Sequence, residues 1–202
     1  MADKKLNELI KLLDSDTAGI DGGNPDARLW FVGVEYAERG DDNYARGDWW
    51  NDYTGDKYYA NIRAVMECLG ARGGDDVYVA NLYPVRKPST KSDAEIKKYG
   101  FKKLDDYYAF CDMHGRRVFR ENLNRGPRRI VICNGIGFMW GFMMQLGLAH
   151  GAVRVETIPD PKCVVMEFEN HPGIERMIIM EHISRKSREY CRAVGKLIAG
   201  ME

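Results

Sequence analysis

The sequence predicts an α/β protein of three layers, in which a mainly parallel central sheet lies between two layers of helices. Short runs of apolar and β-branched residues alternate along the chain with longer segments in which apolar residues recur every three or four positions. Parallel strands need a crossover connection, which is usually a helix, so this alternation is typical of a largely parallel sheet.

Five short apolar runs predict the strands of this sheet. Several are rich in Val and Ile and carry no polar alternation, as a strand that is buried on both faces requires. The last two runs flank a turn that contains Pro172 and Gly173, which predicts a hairpin. The predicted strands cover residues 29–32, 77–80, 130–133, 163–168 and 177–180.

Five segments have the apolar spacing of a helix. The first lies at the start of the chain, and Gly70 supplies a C-cap for the second. The arginines between positions 116 and 129 are interpreted as the solvated face of a helix and its following loop. The predicted helices cover residues 3–14, 62–69, 104–122, 138–148 and 187–198.

The composition is that of an ordinary globular protein, and a chain of 202 residues is long enough for one well-filled core, so we expect residues 1–202 to form a single domain. Lys plus Arg (30) equals Asp plus Glu (30), which gives no overall attraction to nucleic acid. The sequence contains no apolar run of the roughly 18 residues that a membrane span needs, and its start is amphipathic. We therefore expect a cytoplasmic protein.

The cysteines and histidines give no sign of a metal or redox site. The five cysteines are widely spaced, and none forms a Cys-x-x-Cys pair. The four histidines show neither the spacing of metal ligands nor a neighbouring nucleophile motif. We expect no metal and no cofactor.

Three polar side chains follow predicted strands directly. Glu35 comes after the first strand, Asn81 after the second, and His182 after the last. In an open α/β sheet the crevice outside the carboxyl ends of parallel strands is where ligands bind. The sequence therefore predicts an active site at this edge, built from an acid, an amide and an imidazole.

These segments resemble the motifs of the uracil-DNA glycosylase superfamily. Gly33-Val34-Glu35-Tyr36 resembles the family's turn after the first strand. Residues 81–88 resemble the family's Asn motif at the end of a second strand, and residues 128–135 resemble its strand that opens into a helix. His182-Ile183-Ser184-Arg185 resembles the family's final motif, which centres on a histidine. The resemblance spans residues 29–190 and implies a uracil-DNA glycosylase-like fold.

The chain departs from the family pattern at three points. Tyr36 stands where the family usually has Pro, and Ile183 stands where Pro follows the motif histidine. The cysteines of the iron–sulfur branches have no counterparts. The resemblance is therefore to a divergent member, and it leaves the target open as uracil or another modified base.

The resemblance implies a monofunctional DNA glycosylase of base-excision DNA repair, which hydrolyses the N-glycosidic bond of a base flipped out of DNA. Glu35 would orient the water and stabilise the sugar cation, while His182 would donate a hydrogen bond to the departing base. The expected base pocket consists of Gly33, Tyr36, Trp50, Tyr53 and Asn81. The expected DNA phosphate contacts are Lys87, Ser184, Arg185 and Lys186.

Each candidate also has an ordinary explanation. Taken singly, Glu35 is a solvated loop acid, Asn81 a turn residue and His182 a packed imidazole. A second hypothesis is therefore a non-catalytic protein of the same fold that binds nucleic acid or nucleotides, and a third is a glycosidase or transferase that acts on free nucleosides or nucleotides rather than on DNA. For the first hypothesis we expect a monomer whose partner is DNA with a modified base, with no membrane or metal partner.

Overall fold

One mixed sheet forms the centre of the protein. The computed structural model describes residues 2–14, 22–37, 49–52, 55–87, 93–148 and 151–201. Within these residues seven strands pair in the order β1-β3-β2-β4-β7-β6-β5. The strands are β1 (Gly22–Gly23), β2 (Leu29–Ala37), β3 (Val77–Lys87), β4 (Arg129–Asn134), β5 (Arg154–Pro159), β6 (Lys162–Glu167) and β7 (Ile174–Met180).

Helices pack on both faces of this sheet. In the described part of the chain they are α1 (Ala2–Leu13), α2 (Trp49–Asp52), α3 (Lys57–Met66), α4 (Ala94–Lys97), α5 (Leu104–His114), α6 (Arg117–Leu123), α7 (Met139–Gln145) and α8 (Arg188–Ala199). Helices α3 and α8 cover the face that carries Phe31 and Ile132. Helices α1, α5, α6 and α7 cover the face that carries Trp30 and Val131.

The four central strands are parallel, and the outer strands are not. Strands β3, β2, β4 and β7 run side by side in one direction. Strand β1 is antiparallel to β3, and β6 and β5 add antiparallel strands beyond β7. The predicted α/β fold and the predicted hairpin of β6 and β7 are confirmed. The expectation of a mainly parallel sheet is wrong, because three of the six strand pairings are antiparallel.

A short connection explains the antiparallel pairing of β5 with β6. Strands β5 and β6 are joined by Asp160 and Pro161 alone, and so short a connection permits only antiparallel pairing. Strand β5 is missing from the predicted elements because almost every residue in it is exposed, which leaves no apolar run or alternation to detect.

The predicted helix over 104–122 is two helices. The chain breaks at Gly115, whose φ of 71° lies in the region that favours glycine. The break turns Arg116 inward, where it is fully buried. The interpretation of this arginine as part of a solvated helix face is therefore wrong, and Arg129 is buried as well.

Candidate active site

Two polar side chains crowd the backbone of Gly33 in β2, and we call this contact the floor of the candidate site. The pairing of β2 with β3 sets Gly33 opposite Asn81. A Cβ atom on Gly33 would lie 2.4 Å from Asn81 Oδ1 and 2.6 Å from the Tyr58 hydroxyl. Glycine is needed here for this close approach, since only its lack of a side chain leaves room for both groups.

Asn81 is held in place from beneath. The Arg116 guanidinium donates to the backbone carbonyl of Asn81 at 2.8 Å. Arg116 also lies over the ring of Phe119, with its central carbon 4.6 Å from the ring centroid. Asn81 was expected to follow its strand, but it is a buried residue within β3, which continues to Lys87. The helix break at Gly115 brings a buried cation under this part of β3, and sequence reasoning missed it because arginine is usually exposed.

His182 lies in a loop that two other elements hold. Asn134, the last residue of β4, accepts a hydrogen bond from the Ile183 N–H at 2.7 Å through its Oδ1. Asn61 of α3 donates to the Ile183 carbonyl at 2.9 Å and to the Lys186 carbonyl at 3.3 Å. These bonds fix the backbone that follows β7.

The hydrogen bonds of His182 set its protonation. The Ser184 N–H donates to His182 Nδ1 at 3.4 Å, and the Ser184 hydroxyl lies 2.8 Å from the same nitrogen. An Nδ1 that accepts leaves the proton of the neutral ring on Nε2. Although the residue is exposed overall, partial burial of the ring lowers the pKa of His182, and Arg185 lowers it further. His182 therefore presents a neutral N–H donor.

Tyr58 connects the His182 loop with the floor over Gly33. Its ring centroid lies 6.5 Å from that of His182, and its edge packs on Phe31 at 6.2 Å. Burial raises the pKa of Tyr58, and the Asn134 amide lowers it by a smaller amount. Tyr58 thus stays a phenol, and its hydroxyl faces the polar groups of the crevice.

Asn134 adds an unsatisfied donor to this site. The residue is fully buried, and its Nδ2 has no hydrogen bond of ordinary geometry to any described residue, although the amide is near enough to affect Tyr58. A buried N–H group without a partner costs about 1–3 kcal/mol. A ligand carbonyl that reaches Asn134 would recover that cost.

Glu35, at the end of β2, is oriented by an aromatic cluster. It accepts a hydrogen bond from the hydroxyl of Tyr108 in α5. Burial, and after it Glu35, raise the pKa of Tyr108, so this residue remains a donor. The Tyr108 ring packs on Tyr83 at 4.4 Å and on Phe138 at 5.7 Å. Glu35 itself is half-buried.

A second polar contact anchors this cluster. The Tyr83 hydroxyl donates to Asp112 at 3.1 Å, and Gln145 Nε2 donates to the same carboxylate oxygen at 2.9 Å. Burial raises the pKa of Asp112, while these two hydrogen bonds lower it. The aromatic wall behind Glu35 is thereby tied to helices α5 and α7.

The remaining candidates are Trp50, Tyr36, Tyr53 and Lys87, and of these the structure describes only the Trp50 side chain. Trp50 is 9% exposed, and it packs against Trp49 with ring centroids 5.3 Å apart, which does not favour a role in stacking on a base. Tyr36 and Lys87 lie at the ends of β2 and β3, and their side chains lie outside the described structure. Tyr53 lies outside the described residues.

The basic loop after His182 is partly neutralised. Ser184 and Arg185 are exposed, as a phosphate contact requires. Lys186, in contrast, forms an ion pair with Glu181 and lies 5.0 Å from the centroid of the Tyr190 ring. The structure thus leaves Arg185 as the more available cation of the two.

The described residues contain no group of three or more His, Cys, Asp or Glu that would hold a metal ion. All five cysteines are unpaired thiols. No helix in the described ranges is long and apolar enough to cross a membrane. Comparison with protein-family models and with curated proteins finds no match for this chain. The proposed function therefore rests on the residues of the candidate site.

The close contact over Gly33 can be tested by adding one methyl group. We expect Gly33→Ala to lower the free energy of unfolding by about 1–3 kcal/mol, because both Asn81 and Tyr58 must move. Gly137→Ala is the matched control, since a Cβ there meets nothing within 4 Å. Urea denaturation measures both, and equal stabilities of the two variants would show that the floor is not tightly packed.

Proposed function

We propose that this protein is a monofunctional DNA glycosylase, which hydrolyses the N-glycosidic bond of uracil or another modified or damaged base flipped out of DNA. The observation that carries the proposal is the placement of a carboxylate, Glu35, and an imidazole, His182, toward the carboxyl ends of β2 and β7, which run in the same direction on either side of β4. The motif resemblance and the helices on both sheet faces support a uracil-DNA glycosylase-like fold of three layers.

Glu35 serves the sugar side of the reaction. Loss of the base leaves an oxocarbenium-like sugar, and a carboxylate stabilises this cation and orients the attacking water. The hydrogen bond from Tyr108 engages one carboxylate oxygen, Oε1, and fixes the direction of the group.

His182 and Asn134 serve the departing base. Negative charge collects on the base as the bond breaks, and N–H donors that are already oriented stabilise it without reorganisation. The Nε2 proton of His182 is such a donor, while the buried Asn134 holds the loop that carries His182. Donors of this kind commonly contribute about 10²–10³-fold to the rate each.

Asn81 supplies the recognition of the base edge. Its amide offers both an acceptor and donors, which suits the Watson–Crick edge of a flipped base. The hydrogen bond that Arg116 donates to the Asn81 carbonyl fixes the backbone of Asn81 beside Gly33. Ser184 and Arg185 would contact the phosphates that flank the flipped nucleotide. The proposed reaction is a hydrolysis, which needs no redox cofactor.

The proposal is tested by release of a base from labelled oligonucleotides that carry uracil, hypoxanthine, xanthine, hydroxymethyluracil or modified cytosines. Alkaline cleavage of the abasic site reports the product. We expect Glu35→Gln and His182→Ala each to lose about 100-fold or more in rate.

Matched controls lie elsewhere on the surface. Glu156→Gln changes an exposed acid on the outermost strand, and His114→Ala changes an imidazole that contacts Asp14. Both should retain full activity. If folded protein releases no base from the whole panel but binds DNA, the non-catalytic binding hypothesis replaces the glycosylase.

The protonation of His182 predicts the pH dependence of the rate. Because its pKa is lowered, the neutral ring persists at pH values below its ordinary range, and protonation of Nδ1 would break the bond from the Ser184 N–H. We expect kcat/KM to fall toward low pH with a midpoint below 6.5, the ordinary pKa of histidine. The fall should be absent in His182→Asn, and a wild-type midpoint above 6.5 would contradict the assignment.

A further inference from the structure

Strand β5 (Arg154–Pro159) is an open edge of the sheet. One side of β5 pairs with β6, and β5 stands last in the strand order, so no described strand pairs with its outer side. All of its residues except Ile158 are exposed, and Val155 and the preceding Val153 are each 60% exposed. The opposite edge strand, β1, has only two residues. A six-residue edge presents a row of unpaired backbone N–H and C=O groups, with which another strand can pair.

Strand β5 lacks the usual protections against such pairing. Natural proteins protect open edges with prolines, with bulges, or with lysines and other charges that repel a second strand. The proline of β5 is its last residue, and the pairing of β5 with β6 runs in one unbroken register without a bulge. The two charges of β5 are Arg154 and Glu156, which have opposite signs and form an ion pair at 2.8 Å. The edge therefore has no excess charge that would repel a second copy of itself.

These charges select one register for the antiparallel pairing of β5 with the β5 of a second copy. Only every second residue of a strand turns its N–H and C=O outward, so in a symmetric pair one residue must lie opposite its own copy. A pair centred on Arg154 opposes two arginines, and a pair centred on Glu156 opposes two glutamates. A pair centred on Val155 sets each Arg154 opposite the Glu156 of the other copy. Like charges directly opposite each other are destabilising, so the register centred on Val155 is favoured.

The same register brings the exposed apolar side chains of the two copies together. Val155 lies opposite the Val155 of the other copy, and each Val153 lies opposite Thr157. All of these residues are β-branched, and such side chains pack well against their neighbours on a pleated sheet. A register centred on Thr157 is less suitable, since it sets Glu156 opposite the apolar Ile158 and takes Arg154 beyond the end of the other strand.

We propose that β5 pairs with the β5 of a second copy of this chain, antiparallel and centred on Val155, so that a homodimer forms with one sheet continuous across both chains. The proposal does not rest on the proposed function, and it replaces the monomer expected from the sequence. Two six-residue strands bury less surface than the about 1,200–2,000 Å² of a stable interface. We therefore expect a dimer that forms at high concentration and dissociates on dilution.

Sedimentation equilibrium tests the dimer and its centre. We expect the mass of wild-type protein to rise toward twice that of the chain at about 0.5 mM, a concentration that populates even a dimer with a Kd of about 1 mM. Val155→Lys sets two cations opposite each other and should raise the Kd at least about fivefold. Met113→Lys changes another exposed apolar side chain, on α5, and should leave the Kd unchanged. Urea denaturation confirms that both variants are folded.

Cysteine variants test the register. Directly opposite Cβ atoms lie about 4.5–5.5 Å apart, close to the span of a disulfide, so oxidised glutathione should link two copies of Val155→Cys. Thr157→Cys, on the same face of β5, is the matched control. In the proposed register its two copies lie four residues apart along the strands, about 13 Å, and should not be linked. The native cysteines are buried or partly buried, and wild-type protein measures their background.

Three results would overturn the proposal. The first is wild-type protein that keeps the mass of one chain at 0.5 mM, which would leave β5 open to a strand of a different protein. The second is self-association that Val155→Lys does not weaken. The third is linking of Thr157→Cys as efficiently as Val155→Cys. None of these measurements uses base release, so failure of the dimer and failure of the glycosylase are separate outcomes.

Discussion

The parallel alignment of four central strands is the constraint on which the candidate site depends. Because β3, β2, β4 and β7 all run in one direction, their carboxyl ends lie along one edge of the sheet, and the polar side chains within and after the last part of these strands lie toward that edge. The antiparallel strands β5 and β6 extend the sheet on the far side of β7. The chemistry that we propose uses the parallel part, while the ribbon covers one edge of it.

Each polar group at that edge is oriented by a residue behind it. Tyr108 orients the Glu35 carboxylate, Arg116 holds the backbone of Asn81, and Asn134 holds the loop that carries His182. Such preorganisation lowers the barrier of a reaction because the groups do not have to reorient as charge develops. It also carries a cost in stability, since the Nδ2 of Asn134 is buried without an ordinary hydrogen-bond partner among the described residues.

The elements that bury apolar runs could be predicted from the sequence, since burial on both faces leaves a clear local pattern. The candidate site could be predicted only in part: Glu35 and Asn81 were expected after their strands, but β2 and β3 continue through them to Ala37 and Lys87, and the supports of both residues depend on tertiary contacts. Tyr58 has the pattern of a core aromatic, and its ring does pack on Phe31, yet its hydroxyl lies over Gly33. Arg116 has the pattern of a surface cation and is buried because the helix breaks before it.

The central claim, that Glu35 stabilises a cationic sugar, can be tested without knowing the target base. Binding is compared for two oligonucleotides that carry a single abasic analogue, either a cationic pyrrolidine or a neutral tetrahydrofuran. We expect wild-type protein to bind the pyrrolidine at least about tenfold more tightly, since it resembles the transition state, and Glu35→Gln to lose this preference. Equal affinity of wild-type protein for both analogues, or a preference that persists in Glu35→Gln, would contradict the account.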